Sequence, residues 1–121
     1  MKSWIVLGAS LAALAVALGA FGAHGLKNRV TPADLIIFET GVKYQMYHAL
    51  GLILIGILGF HYNSDIIQTP AVLLSIGTLI FSGSLYILVF TGLRWMGAIT
   101  PIGGILLVSG WGMLVFQILK S

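Results

Sequence analysis

The stretch Trp4-Ile-Val-Leu-Gly-Ala-Ser-Leu-Ala-Ala-Leu-Ala-Val-Ala-Leu-Gly-Ala-Phe-Gly-Ala23 runs without a charged residue. At about 1.5 Å of rise per residue, an α-helix of this length matches the ~30 Å hydrocarbon thickness of a bilayer. The span it forms reaches about 4–25. Three more uncharged runs follow, over about 45–62, 70–91 and 97–119. A bilayer offers backbone groups no water, and segments this long and this poor in polar residues satisfy themselves only as helices. Barrel strands would alternate polar and apolar side chains. The expected fold is all-α, a bundle of four transmembrane helices in one domain over 1–121.

Composition agrees. Of 121 residues 59% are hydrophobic and 7% charged, too few charges to coat a water-soluble globule. Cysteine is absent, which removes disulfide frameworks, thiolate zinc sites and cysteine nucleophiles. The six basic residues are scattered, so nucleic-acid binding lacks the basic face it needs.

Three Thr-Pro pairs, at 31–32, 69–70 and 100–101, read as helix starts: threonine caps, and proline at the first helical position forfeits no hydrogen bond. Thr31 with Asp34 approximates a capping box, so a helix is expected from Pro32. Asp34, Glu39 and Lys43 are too many charges for the bilayer centre. The stretch 32–44 therefore reads as a short interfacial helix between spans one and two, with extension of span two as the alternative. Thr100-Pro101 reads as the start of span four, with a kink in a span already begun near Gly97 as the alternative. The N-terminus imitates a secretory signal, with Lys2, an apolar core and small residues at 17–20, but is read as a retained first span. With four spans, Lys2 and Lys120 face Lys27, Arg29, Lys43 and Arg94 across the membrane. The excess of basic residues on the second side places both termini outside.

At 100° per residue Gly8, Ala12, Ala15, Gly19 and Gly22 form one small-residue stripe, which is expected to pack. On span two Gly41, Tyr44, His48, Gly51 and Gly59 fall together, opposite Glu39 and Lys43. Ser75, Thr78, Ser82 and Tyr86 share a face of span three, and Gly97, Thr100, Gly103, Gly104 and Trp111 a face of span four. Four short helices cannot hide all these stripes from one another, so self-association is expected.

Candidate chemistry gathers at Glu39, Lys43, Tyr44, Gln45, Tyr47 and His48, with His24 near the same level. An intramembrane histidine can move protons or ligate a metal or haem, yet structural hydrogen bonding by His48 and Tyr44 is the more economical reading. Haem needs two axial ligands facing one another, and only His24 and His48 offer themselves. Zinc would lack a third ligand. No serine stands in recognisable relation to a base and an acid, and no glycine motif forms a phosphate loop, so neither an enzyme nor a cofactor is expected. A polar seam of His24, Tyr44, His48, Ser82, Tyr86 and Thr100 remains as the candidate binding region.

Four ordered motifs, Gly19-Ala-Phe-Gly-Ala-His-Gly-Leu26, Tyr44-Gln-Met-Tyr-His-Ala-Leu50, Phe81-Ser-Gly-Ser-Leu-Tyr86 and Ile99-Thr-Pro-Ile-Gly-Gly104, resemble domain of unknown function 423, the YgdD/YwdK-like small multi-pass membrane proteins. The resemblance covers essentially the whole chain and implies a bacterial plasma membrane protein. It carries over no activity and no site residue. The function expected is that of a non-enzymatic membrane protein acting through helix–helix contacts, as an oligomer or an accessory subunit of another membrane protein. The alternatives are a passive channel or carrier for a small neutral solute, and binding of a quinone, haem or lipid near Tyr44 and His48.

Overall fold

Thr31 takes extended backbone angles and its hydroxyl accepts the Asp34 amide at 3.1 Å, with proline next in the chain, and from there a helix runs unbroken from Pro32 to Leu58. The computed structural model describes residues 2–121. Its elements are α1 (Lys2–Phe21), a π-helical turn (Gly22–Leu26), α2 (Pro32–Leu58), α3 (Ser64–Thr91), a 3-10 turn (Arg94–Ala98) and α4 (Thr100–Lys120). All four long helices are apolar enough to cross a membrane.

The short interfacial helix expected over 32–44 is thus the first half of α2. Nothing in that stretch breaks a helix, and the charge that argued against continuity at Asp34 is met by Arg94. The Arg94 guanidinium donates to both Asp34 oxygens, at 2.8 and 2.9 Å. Since Asp34 turns to Arg94, only the threonine half of the expected capping box forms.

Thr69-Pro70 does not start a helix. α3 begins at Ser64, with Asn63 in extended conformation before it and Asp65 in its first turn, where a carboxylate suits the positive helix end. Pro70 lies inside α3 and is fully buried, so the bundle interior holds a proline that the isolated segment would place at a terminus. Thr100-Pro101 does open α4, while Gly97 belongs to the preceding 3-10 turn. Gly92 ends α3 in the left-handed region, φ 74°, and its amide returns to the Leu88 carbonyl at 2.9 Å. That conformation favours glycine.

Each helix packs against its neighbours in sequence, α1 on α2, α2 on α3 and α3 on α4. α2 and α3 are therefore central. α1 and α4 are outer helices, with 17% of their most apolar windows buried against 44% and 39% for α2 and α3. The small-residue stripe of α1 faces α2: a Cβ on Gly8 would meet the Ala49 carbonyl at 2.6 Å, and one on Gly22 would meet the Phe38 ring at 2.9 Å. These contacts set the register. The middle of the uncharged run of α1 therefore lies level with α2 near residue 46.

Two apolar clusters divide the interior. Leu52, Ile55, Ile67, Ala71, Leu74 and Leu107 fill the half nearer the termini, and Leu26, Phe38, Leu88 and Val89 the other. The polar side chains lie between them.

Candidate functional site: a polar layer beside an aromatic groove

In hydrocarbon a polar side chain must find a partner inside the protein, and among the described residues each buried one does. Gln45, buried on α2, donates to the Leu11 carbonyl of α1 at 2.8 Å and accepts the Tyr86 hydroxyl of α3 at 2.7 Å. One glutamine thereby ties three helices together. Ser82 donates to the Gly41 carbonyl at 2.7 Å, and the absent side chain of Gly41 leaves room for the Tyr86 ring, which a Cβ would meet at 2.8 Å. Ser84 and Thr100 share a hydrogen bond at 2.6 Å between α3 and α4. Thr78 and Ser75 bond to the carbonyls four residues back, at 2.7 and 2.8 Å. The hydroxyls of the α3 stripe are engaged in holding helices or their own backbone, and Thr78, Ser82 and Tyr86 line a cavity of about 170 Å³ together with Leu11 and Gln45.

His48 is buried and doubly bound. Its Nδ1 stands 2.7 Å from the Tyr44 carbonyl and its Nε2 is 3.0 Å from the indole Nε1 of Trp111 on α4. A carbonyl can only accept and an indole N–H can only donate, so the imidazole is the neutral Nδ1–H tautomer. Both ring nitrogens are occupied, leaving no lone pair for a metal or haem iron. His24 lies elsewhere. It is exposed in the π-helical turn, whose Gly22 is level with Phe38, ten residues before His48 on α2 and thus about 15 Å away along the helix. The expected common level of the two histidines does not hold, because α2 begins earlier than the charge pattern suggested and carries His48 to mid-depth.

The six residues of the expected seam therefore separate. Ser82 and Tyr86 belong to the α2–α3 interface, Thr100 to the α3–α4 interface, and Tyr44 and His48 to a groove between α2 and α4, while His24 joins none of them. The groove has a volume of about 380 Å³ and is walled by Tyr44, Tyr47, His48, Phe81, Leu107 and Trp111. Tyr44 packs on Phe81 with ring centroids 4.7 Å apart and on Tyr47 at 5.5 Å. Trp111 reaches over Gly51, where a Cβ would stand 2.8 Å from its ring. The Asp34–Arg94 pair and the joining role of Gln45 are what residue-by-residue reading misses. An acid in the first turn of one helix and a lone arginine in a distant loop are the only signal for the first.

On the outward side of α2, Glu39, Lys43 and Tyr47 are exposed, as the helical wheel places the first two. Among the described residues the single ion pair is Asp34–Arg94, so neither Glu39 nor Lys43 has a charged partner.

The family described as protein of unknown function (DUF423) matches residues 18–104. A UPF0382 membrane protein of Staphylococcus saprophyticus is 50% identical over 120 residues, covering 99% of this chain and 99% of that protein. A UPF0382 membrane protein of Staphylococcus haemolyticus is 47% identical over 120 residues, with 99% and 98% covered. The UPF0382 membrane protein YwdK of Bacillus subtilis is 46% identical over 121 residues, again with 99% and 98% covered. No solved structure matches. With its four membrane-length helices and full-length likeness to bacterial membrane proteins, the chain belongs to the DUF423 family of multi-pass membrane proteins of unknown function.

Proposed function

We propose that this protein is a non-enzymatic subunit of the bacterial plasma membrane that works through lateral helix–helix contacts, with both termini on the outer side. The observation that carries this reading is the outward face of α2. If the middle of the uncharged run of α1 is taken as mid-bilayer, the helix rise puts Glu39 about 10 Å and Lys43 about 5 Å from it, with Tyr47 close to it. Charges at that depth are costly when they face acyl chains, and tyrosine belongs at the membrane surface. A protein neighbour on that face relieves both. The half-covered outer helices point the same way. Bifunctional crosslinking in native membranes is expected to return species larger than the monomer. Monomer alone, with no partner, overturns the proposal.

A second reading is favoured by the aromatic groove, which is of a size and lining suited to the ring of a quinone or to part of a lipid. Mass spectrometry of the gently purified protein is expected to find a stoichiometric lipophilic molecule if this reading holds. A clean protein, and no loss of a bound species in Tyr47→Ala, removes it. Passive movement of a small neutral solute has weaker support, since it would need an assembly to open a path along the α3 hydroxyls. Reconstituted vesicles without flux remove it.

A further inference from the structure

Of the four helices, only α2 carries charge on the bilayer-facing side well inside its ends. It carries one residue of each sign, one turn apart. Such a pair is self-complementary: under a two-fold axis along the membrane normal, an acid on one helix meets a base on the other, and the reverse contact forms as well. The apolar residues around the pair follow the same face. Ile36, Lys43, Leu50 and Ile57 recur every seven positions, with Tyr47 and Leu54 between them, and all six are exposed. These steps of three and four residues are those of a two-helix seam.

Resting on the subunit reading above, we infer that the neighbour is a second copy of this chain, inserted the same way round, packed α2 against α2 with Glu39 of each copy on Lys43 of the other. In a parallel seam residue 40 of one helix fits among residues 36, 39, 40 and 43 of its mate, so Glu39 and Lys43 flank a single layer. Thr40 adds no unmet polar group there, because its hydroxyl donates to the Ile36 carbonyl at 2.9 Å. A groove of about 220 Å³ between the Glu39–Lys43 edge and the small residues Gly19 and Ala23 of α1 gives the incoming lysine room. The outward faces of α1 and α4 hold no charge between 4 and 23 or between 97 and 119 and offer no such complement.

The chain has no cysteine, so single cysteines can be introduced into the full-length protein and oxidised in native membranes. A parallel two-fold seam brings Tyr47, Leu50 and Leu54 each close to its own counterpart. Tyr47→Cys, Leu50→Cys and Leu54→Cys are expected to give a disulfide-linked dimer, and the outward controls Val16→Cys on α1 and Val108→Cys on α4 are not. Adding Glu39→Lys to Leu50→Cys is expected to lower the dimer yield per inserted chain about tenfold, and the exchange E39K/K43E to restore it. Yields indifferent to E39K overturn the pairing. Dimer at the α1 or α4 controls instead of α2, or a link from residue 50 to a different protein, overturns the inferred partner and leaves the subunit reading standing. Trapping at one α2 depth alone indicates opposed insertion and overturns the parallel arrangement. No product at any position, together with monomer alone in the crosslinking experiment, removes both.

Discussion

Gly103 of α4 lies so close to Phe81 of α3 that a Cβ there would overlap the Phe81 amide and come within 2.8 Å of its Cα. The obstacle is backbone, which cannot swing aside as a side chain can. Gly83 and Gly112 have nothing within 4 Å of the same hypothetical atom.

Gly103→Ala is therefore expected to push α3 and α4 apart and cost about 1–3 kcal/mol. Gly83→Ala is expected to be neutral, or to stabilise by up to about 1 kcal/mol through helix propensity. Denaturant titration in detergent micelles followed by circular dichroism compares the two. Equal effects would refute close packing at Gly103 as the cause.

The His48–Trp111 contact predicts a spectroscopic signature. Nitrogen NMR of histidine-labelled protein is expected to show His48 as a neutral ring protonated at Nδ1 alone. Trp111→Phe removes the indole donor to Nε2 and is expected to cost about 1 kcal/mol. A spectrum dominated by the Nε2–H form would contradict the arrangement.

Gln45 and Tyr86 supply a double-mutant cycle. Tyr86→Phe and Gln45→Leu are each expected to destabilise, and the pair to show a coupling of about 0.6 kcal/mol, at most about 1.7, the range found for hydrogen bonds between membrane helices. Strict additivity would mean that the hydroxyl and the amide do not meet.

The Asp34–Arg94 pair fastens the loop between α3 and α4 to the start of α2. Arg94→Ala is expected to speed amide exchange across 94–98 while leaving the middle of α3 protected, and the swap Asp34→Arg with Arg94→Asp to slow it again. Unchanged exchange in the single variant would show that the 3-10 turn holds without the ion pair.

Orientation has a simple readout. A protease-sensitive tag after Ser121 is expected to be cut in intact cells, as the distribution of basic residues implies. Protection of that tag reverses the topology.

Four crossings were legible in the residues themselves, because a bilayer allows a backbone only a helical escape from its own polarity and each run is long enough to take it. The small-residue stripe of α1 was legible for a related reason: helical geometry assigns Gly8, Ala15 and Gly22 to one side whatever the neighbour. The Thr-Pro pairs show where local chemistry stops. Each offers the same cap and the same missing amide, yet Thr31 and Thr100 begin helices while Pro70 lies fully buried within α3, since burial in the bundle interior outweighs one forfeited backbone bond. The unbroken length of α2 likewise hung on a remote partner, because Asp34 is acceptable in a long helix once Arg94, sixty residues away, faces it. Which hydroxyl met which carbonyl, and that His48 would face Trp111 and not His24, followed from the depths to which the four helices slid along one another. Each depth is a sum of many close contacts at glycine and alanine, a property of helices pressed together that no helix carries alone.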